Sequence, residues 1–420
     1  MQRYFHVKNP WWENKSFNTG IKRPYYIKKL QKNLKQDLMQ IITGLRRVGK
    51  STIALQLINS MINENKMDPQ KILFFSVEEP IIKDTPIIKI INEFRAEKNL
   101  KTNTKIHVFI DEIQFREDWE REIKSLYDTE NIKFILTGSS AMLLSEKLSY
   151  LTGRYLKTQI YPLNFEEYLN FKKVKTSKTN EHLLKKAAKN FLKTGGMPEF
   201  VLKNPDRYLE TTVESILFKD LVSKFKLRNP KVLTDLLYLL ADRVGTTSSG
   251  TKLSNVLEIN KDTVMTYLNY LNKTFITAEL PNYTTSRNKE LYNPAKIFFQ
   301  DTGIANTYAS KFNYGALAEN AIYNKISQEI GEEMRVKLGY WYEEKSEIDF
   351  ILQRKKKVTV IESKMVNTIE NINFKPLRNL LKDQNANEII YVTEGLGGME
   401  TVDKADVNFI PLYKFLKEPL

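Results

Sequence analysis

The chain has 420 residues, 41% hydrophobic and 27% charged, which is enough apolar material for about three domain-sized cores and too much for a disordered polymer. Its 65 Lys and Arg against 50 Asp and Glu leave a formal charge of +15. Zero Cys and three scattered His (His6, His107, His182) exclude disulfides, thiol nucleophiles, Cys-held zinc and any His-rich metal cluster.

No apolar run approaches the ~20 residues of a membrane span. The opening Met1-Gln-Arg-Tyr-Phe-His-Val-Lys-Asn-Pro10 lacks the apolar core of a secretion signal. The expectation is a soluble cytoplasmic protein with no membrane partner. The basic excess fits phosphate neutralisation on DNA, and fits equally a Lys- and Asn-rich surface.

The first thirty residues interleave aromatics and bases (Trp11, Trp12, Lys22, Arg23, Tyr25, Tyr26, Lys28, Lys29), and periodicity begins only at about Tyr26–Leu38. This reads as an arm followed by a helix. Such an arm can stack on unpaired bases, lie over a nucleotide or pack on its own chain. From Met39 a strand, a Gly-rich turn and a helix at Ser51–Ile62 follow, then apolar runs at Lys71–Glu78, Lys105–Asp111 and Lys133–Gly138. Short apolar strands alternating with helical stretches predict an α/β parallel sheet covered on both faces.

Between about Tyr168 and Asn229 the pattern is helical, broken at Thr194-Gly-Gly-Met-Pro198. Pro230 opens a helix, Lys231–Arg243; helices at Leu253–Leu257 and Lys261–Asn272 come next, then strands at Phe275–Leu280 and Lys296–Asp301. That order is the order of a winged helix, with Lys261–Tyr270 as recognition helix and Thr263, Thr266 and Asn269 exposed. Winged helices bind DNA or protein. From about Gly315 the pattern is helix, three strands, helix, strand, helix. The basic turn Arg354–Lys357 reads as a solvated hairpin.

Gly44-Leu45-Arg46-Arg47-Val48-Gly49-Lys50-Ser51 fits G-x-x-x-x-G-K-[ST], followed by Thr52. Backbone N–H groups of such a loop cradle the phosphates of ATP, Lys50 reaches the outer phosphate oxygens, and the Ser51 hydroxyl is a ligand for Mg2+. The apolar run Ile106–Ile110 ends in Asp111-Glu112. Asp111 would hold the magnesium, and Glu112 would orient or deprotonate the attacking water. Phe134–Ser140 ends a third strand in hydroxyls, which makes Thr137 and Ser139 candidate sensors of the γ-phosphate. Arg154 is either an arginine finger, in its own subunit or a neighbour's, or a structural ion pair.

Gly44–Thr52, Ile110-Asp-Glu-Ile-Gln114, Leu136-Thr-Gly-Ser-Ser140, Gly153-Arg154 and Tyr161-Pro-Leu-Asn-Phe-Glu-Glu-Tyr168 occur in this order. In this the chain resembles archaeal and bacterial ATPases of the AAA+-like group within the P-loop superfamily. The resemblance implies an arm and helix at 1–35, an ATPase core at 36–170, a helical connector at 171–230, a winged helix at 231–312, and a PD-(D/E)XK nuclease-like module at 313–420. In that module Glu319 lies on a helix, Asp349 on a strand, and Glu362-Ser-Lys364 ends the next strand. Alternation turns Glu362 and Lys364 to one face. Asp349 and Glu362 would bind one or two Mg2+, assisted by Glu319, and Lys364 would position or activate water.

Two functions follow as expectations. One is an ATPase acting on DNA, with the nuclease-like end cutting in a Mg2+-dependent step. The other is an ATP-dependent signalling or assembly switch that binds a protein partner and carries a dead nuclease-like scaffold. A homo-oligomer is compatible with both.

Overall fold

The structure, a computed structural model, describes residues 2–139, 148–174, 180–222, 225, 227, 229–284, 293–331, 333, 335–343 and 345–420. The chain falls into two compact units, Met1–Ile160 and Tyr161–Leu420.

In the first unit apolar runs become β1 (Met39–Gly44), β2 (Ile72–Ser76), β3 (Ile106–Asp111) and β4 (Ile132–Gly138), joined by β5 (Tyr155–Ile160). Every residue of β1, β3 and β4 is buried, as strands covered on both faces must be. Among the described residues the sheet runs β2-β3-β4-β1-β5, all pairs parallel. Strand β5 carries no apolar run because it is an edge strand, and most of its residues are only half-buried. The carboxyl ends of β3, β4 and β1 lie side by side, the place where open α/β sheets bind ligands.

The opening segment is more ordered than an arm. Gln2–Lys8 is helical, Pro10–Glu13 is a 3-10 turn, and a further helix runs Pro24–Leu34. The first two close the free edge of β2. The Asn9 amide donates to the Phe74 carbonyl at 2.9 Å and accepts from the Phe74 N–H at 2.6 Å. The indole N–H groups of Trp11 and Trp12 both donate to the Ile72 carbonyl, at 3.2 and 2.8 Å. An open edge would template pairing with another chain; here its polar groups are satisfied from within. Both tryptophans are buried, and Trp12 packs on Phe94 with the Lys98 ammonium 3.8 Å from its ring centre. These rings are therefore not free to stack on unpaired bases.

The second unit opens with the helices Phe165–Phe171, Glu181–Thr194, Pro198–Lys203, Tyr208–Ser215 and Pro230–Ala241. Two capped helices follow, Gly250–Leu257 (Ser249) and Lys261–Lys273 (Asn260), then the antiparallel pair β6 (Thr277–Leu280) and β7 (Lys296–Phe299). Residues 285–292, between β6 and β7, lie outside the described residues.

The helix Tyr314–Ile330 then leads into β8 (Val336–Glu343), β9 (Ser346–Arg354) and β10 (Lys357–Lys364). The helix Lys375–Asp383 is followed by β11 (Glu388–Thr393), β12 (Gly398–Val402), β13 (Ala405–Pro411) and the helix Leu412–Lys417. The sheet order is β12-β13-β11-β10-β9-β8 among the described residues. Three strands, not one, thus precede the last helix. The extra pair is a hairpin turning at Asp403-Lys404, both at positive φ (48° and 73°), and β12 is an exposed edge strand without an apolar run.

His107 sits in β3 between β2 and β4, buried, with Nδ1 lacking a hydrogen-bond partner. Burial first, then the Lys105 and Lys133 charges, push its imidazole down to about 4. The folded chain holds the ring neutral while the unfolded chain protonates it below about 6.5. Stability is therefore full above that pH and should fall by about 3 kcal/mol as pH drops towards 4. Urea unfolding at stepped pH checks this, and His107→Gln should flatten that part of the profile.

Candidate functional site

Strand β1 delivers the chain to Gly44, the loop 45–49 turns, and the helix Lys50–Asn63 begins. Gly44 has φ 147°, and a Cβ there would stand 2.2 Å from the Ile160 carbonyl oxygen on β5. The strand pairing itself therefore requires glycine. Leu45 and Val48 are buried and anchor the loop, Arg46 reaches Glu78 at 3.4 Å, and Arg47 takes a left-handed φ of 63°. Thr52 is exposed on the first turn. The Lys50 ammonium lies within the loop, 3.3 and 3.2 Å from the Gly44 and Leu45 carbonyls and 3.8 Å from Glu112.

The carboxylates at the end of β3 meet this loop. Ser51 Oγ is 2.8 and 3.0 Å from the two Asp111 carboxylate oxygens. From β4 the Thr137 hydroxyl donates to Asp111 and accepts the Glu112 N–H at 3.0 Å. Glu112 itself has φ 53°, a strained value for a non-glycine residue and one that aims its side chain at Lys50. Gln114 donates to Glu112 Oε2 and, at 2.9 Å, to Ser139 Oγ. Burial would raise the Glu112 carboxyl, but the Lys50 charge, with the Gln114 hydrogen bond and Arg46, holds it below the usual range. Asp111 goes the other way: burial and then the neighbouring Glu112 charge raise it. A carboxylate and a hydroxyl in contact are hard oxygen donors, and their chemistry fits Mg2+.

A cleft of about 620 Å3 opens beside Ser51 and Asp111, walled by Trp11, Phe17 and Phe74. Two glutamines make contacts to which the sequence reading assigned no role, although Gln114 stands in the quoted run Ile110–Gln114. Gln114 is one. Gln56 is the other: it donates to the Thr19 and Ile21 carbonyls, both at 2.8 Å, and accepts the Arg23 N–H at 3.1 Å, tying residues 19–23 to the helix. A polar residue among the apolar residues of the helix's buried face was its signal.

Arg154 is not brought to this site. It precedes β5, at the end of the sheet opposite the loop, and its carbonyl accepts the Met39 N–H at 2.9 Å. Its side chain reaches Asp128 at 3.2 Å. Five residue steps along β1, about 17 Å, separate Met39 from Gly44, so the Arg154 backbone stands at the far end of the strand from the loop. Ser140 lies outside the described residues.

In the second unit Glu319, Asp349, Glu362 and Lys364 converge, together with two residues that were not anticipated. The Lys296 ammonium, on β7, lies 2.9 Å from Glu319, 3.1 Å from Asp349 Oδ1 and 2.6 Å from Glu347. Asp349 Oδ2 accepts the Ser363 N–H at 2.9 Å. Glu362 accepts the Asp349 N–H at 2.9 Å and pairs with Lys364 at 2.6 Å. A Cβ on Gly245 would come within 2.8 Å of Glu319, so glycine leaves room for that carboxylate. Burial first, and then the Asp349 charge, push Glu319 up to about 8 and Glu362 up to about 7. Asp349 is held low despite its burial, chiefly by the Lys296 charge. The expected divalent ion does not fit this donor set, because an ammonium already stands where the carboxylates point.

Residues 36–169 match the family described as an AAA domain, and residues 185–315 and 314–415 match two domains of unknown function, DUF8612 and DUF4143. The uncharacterized protein MJ1637 of Methanocaldococcus jannaschii is 30% identical over 352 residues, spanning 76% of this chain and 71% of that protein. An uncharacterized protein of Haemophilus influenzae is 27% identical over 359 residues, 81% of this chain and 86% of its own. Among solved structures, AMPPCP-bound DnaA from Aquifex aeolicus overlaps 62% of this chain and 90% of its own at 15% identity and a TM-score of 0.29, too loose an overlap to carry an argument.

Gly44→Ala should destabilise the first unit by about 2–4 kcal/mol, since neither the β5 carbonyl nor the left-handed backbone can yield cheaply. Denaturant titration of the purified variant measures it; a loss under about 0.5 kcal/mol would contradict the packing at Ile160.

Proposed function

The chain belongs to the same family as MJ1637 of Methanocaldococcus jannaschii and carries an AAA domain at residues 36–169, and on that premise we propose that it binds and hydrolyses Mg-ATP to drive a DNA-binding C-terminal unit. The observation that carries the ATPase reading is the wiring of Lys50, Ser51, Asp111, Glu112 and Thr137 around one loop.

The phosphates are held by the backbone N–H groups of residues 44–51 and by the positive end of the helix Lys50–Asn63. Lys50 turns its ammonium from the loop carbonyls to the outer phosphate oxygens. Ser51 and Asp111 would hold Mg2+, which when bound neutralises phosphate charge. Glu112, kept ionised beside Lys50, accepts a hydrogen bond from the attacking water and takes its proton. Gln114 fixes the orientation of Glu112, while Thr137 and Ser139 sense whether the γ-phosphate is present. Arg154 acts as a structural ion pair with Asp128.

Three features support DNA as the partner. The chain carries a +15 charge. The helices 230–241, 250–257 and 261–273 precede an antiparallel pair, the order of a winged helix. The helix Lys261–Lys273 exposes Lys261, Thr266 and Asn269, with Thr263 half-buried. The sheet of residues 336–411, with Glu319, Asp349, Glu362 and Lys364 gathered on it, supports a nuclease-like module at 313–420. The ion-paired state of that cluster favours a second reading, a switch that binds a protein partner and leaves DNA alone.

Lys50→Ala should abolish ATP turnover in a coupled phosphate-release assay, with circular dichroism unchanged. Glu112→Gln should retain ATP binding and hydrolyse it about 100-fold more slowly; an unchanged rate removes Glu112 from the chemistry. Duplex DNA should stimulate turnover, with the effect lost between 50 and 200 mM salt, roughly the range over which phosphate contacts weaken. Turnover indifferent to DNA at low salt would select the switch.

A further inference from the structure

We infer that Lys296 is a built-in cation standing in the place of a divalent metal, so that the C-terminal carboxylate cluster is a closed ion-pair network and does not cut. The inference rests on the nuclease-like reading of residues 313–420 and concerns what fills its centre.

Three observations lead there. The first is stoichiometric: an ammonium has three N–H donors, and Lys296 finds three carboxylates, Glu319 from the helix Tyr314–Ile330 and Glu347 and Asp349 from β9. The second is burial. Lys296 is 1% exposed, and a lone ammonium so deep would cost several kcal/mol; the three carboxylates compensate it. The third is engagement of the oxygens. Each oxygen of Asp349 and Glu362 already accepts one partner: Lys296 and the Ser363 N–H on Asp349, Lys364 and the Asp349 N–H on Glu362. Mg2+ needs oxygens at about 2.0–2.1 Å in octahedral array. Here the carboxylates stand 2.6–3.1 Å from a nitrogen, at hydrogen-bonding distance. Among the described residues no group of three or more His, Asp or Glu is disposed to hold a metal ion.

Lys296 also belongs to β7, which pairs with β6 directly after the helix Lys261–Lys273. The same ammonium therefore ties that hairpin to the helix and strand bearing the carboxylates. A metal entering the cluster would have to displace the lysine from its three carboxylates and break this tie.

The test is a crystal structure of the full chain soaked in Mn2+, read by anomalous scattering. The expected result is Lys296 in place, with no manganese peak within bonding distance of Asp349 or Glu362. A peak there, with Lys296 displaced, overturns the inference and leaves the nuclease-like module standing. Side chains of Glu319, Asp349 and Glu362 that do not converge would instead sink the module reading beneath it. Lys296→Ala adds a gain-of-binding readout: its melting temperature should rise by several degrees with millimolar Mn2+ while the parent's does not. No rise counts against the inference. Should that variant not fold, the soaked parent crystal decides alone.

Discussion

One buried carboxylate sets the geometry on which the ATPase reading depends. The phosphate loop follows β1 and the Asp111-Glu112 pair follows β3, but β4 lies between them, so the two never meet as neighbouring strands. They meet at Asp111, which takes hydrogen bonds from Ser51 on the loop side and Thr137 on β4. The same threonine hydroxyl accepts the Glu112 N–H and so helps hold that residue in its left-handed conformation. A carboxylate taken out of water demands such partners, because an unsatisfied one is expensive. That demand converts a sheet of ordinary parallel strands into a fixed spacing between the loop, Glu112 and the Thr137 hydroxyl.

Much of this was legible because it is local. The glycine–lysine–serine spacing, the run into Asp111-Glu112 and the apolar strands each report on a few consecutive residues. The rest was hidden where partners lie far apart in the chain. Gln114 looks like any polar turn residue until β4 brings Ser139 to it, and Gln56 acquires its meaning from backbone carbonyls more than thirty positions earlier. Strand β5 is an edge strand whose half-buried residues carry little hydrophobic signal. Lys296 was the largest omission: it is assigned by sequence to a hairpin, while its three carboxylates come from elements 23 to 53 positions later.

The two acidic centres meet the same electrostatic problem with different means. Near the loop, Lys50 stands 3.8 Å from Glu112, and the Asp111 carboxylate takes its hydrogen bonds from the hydroxyls of Ser51 and Thr137. In the second unit the compensating cations are the chain's own Lys296 and Lys364, held to the carboxylates by ion pairs. A centre of the first kind responds to what is bound. A centre of the second kind sets a shape and keeps it.

The coverage of β2 by residues 4–12 has a bearing on self-association. In a parallel sheet the outermost strand is the natural seam along which a second copy could continue the ladder. Here Asn9 and the paired indoles occupy that seam with the chain's own groups. A second copy of this chain consequently has no ladder to extend along that flank. Proteolytic loss of the first dozen residues would strip these partners from the Ile72 and Phe74 backbone and leave the outer side of β2 open to another strand.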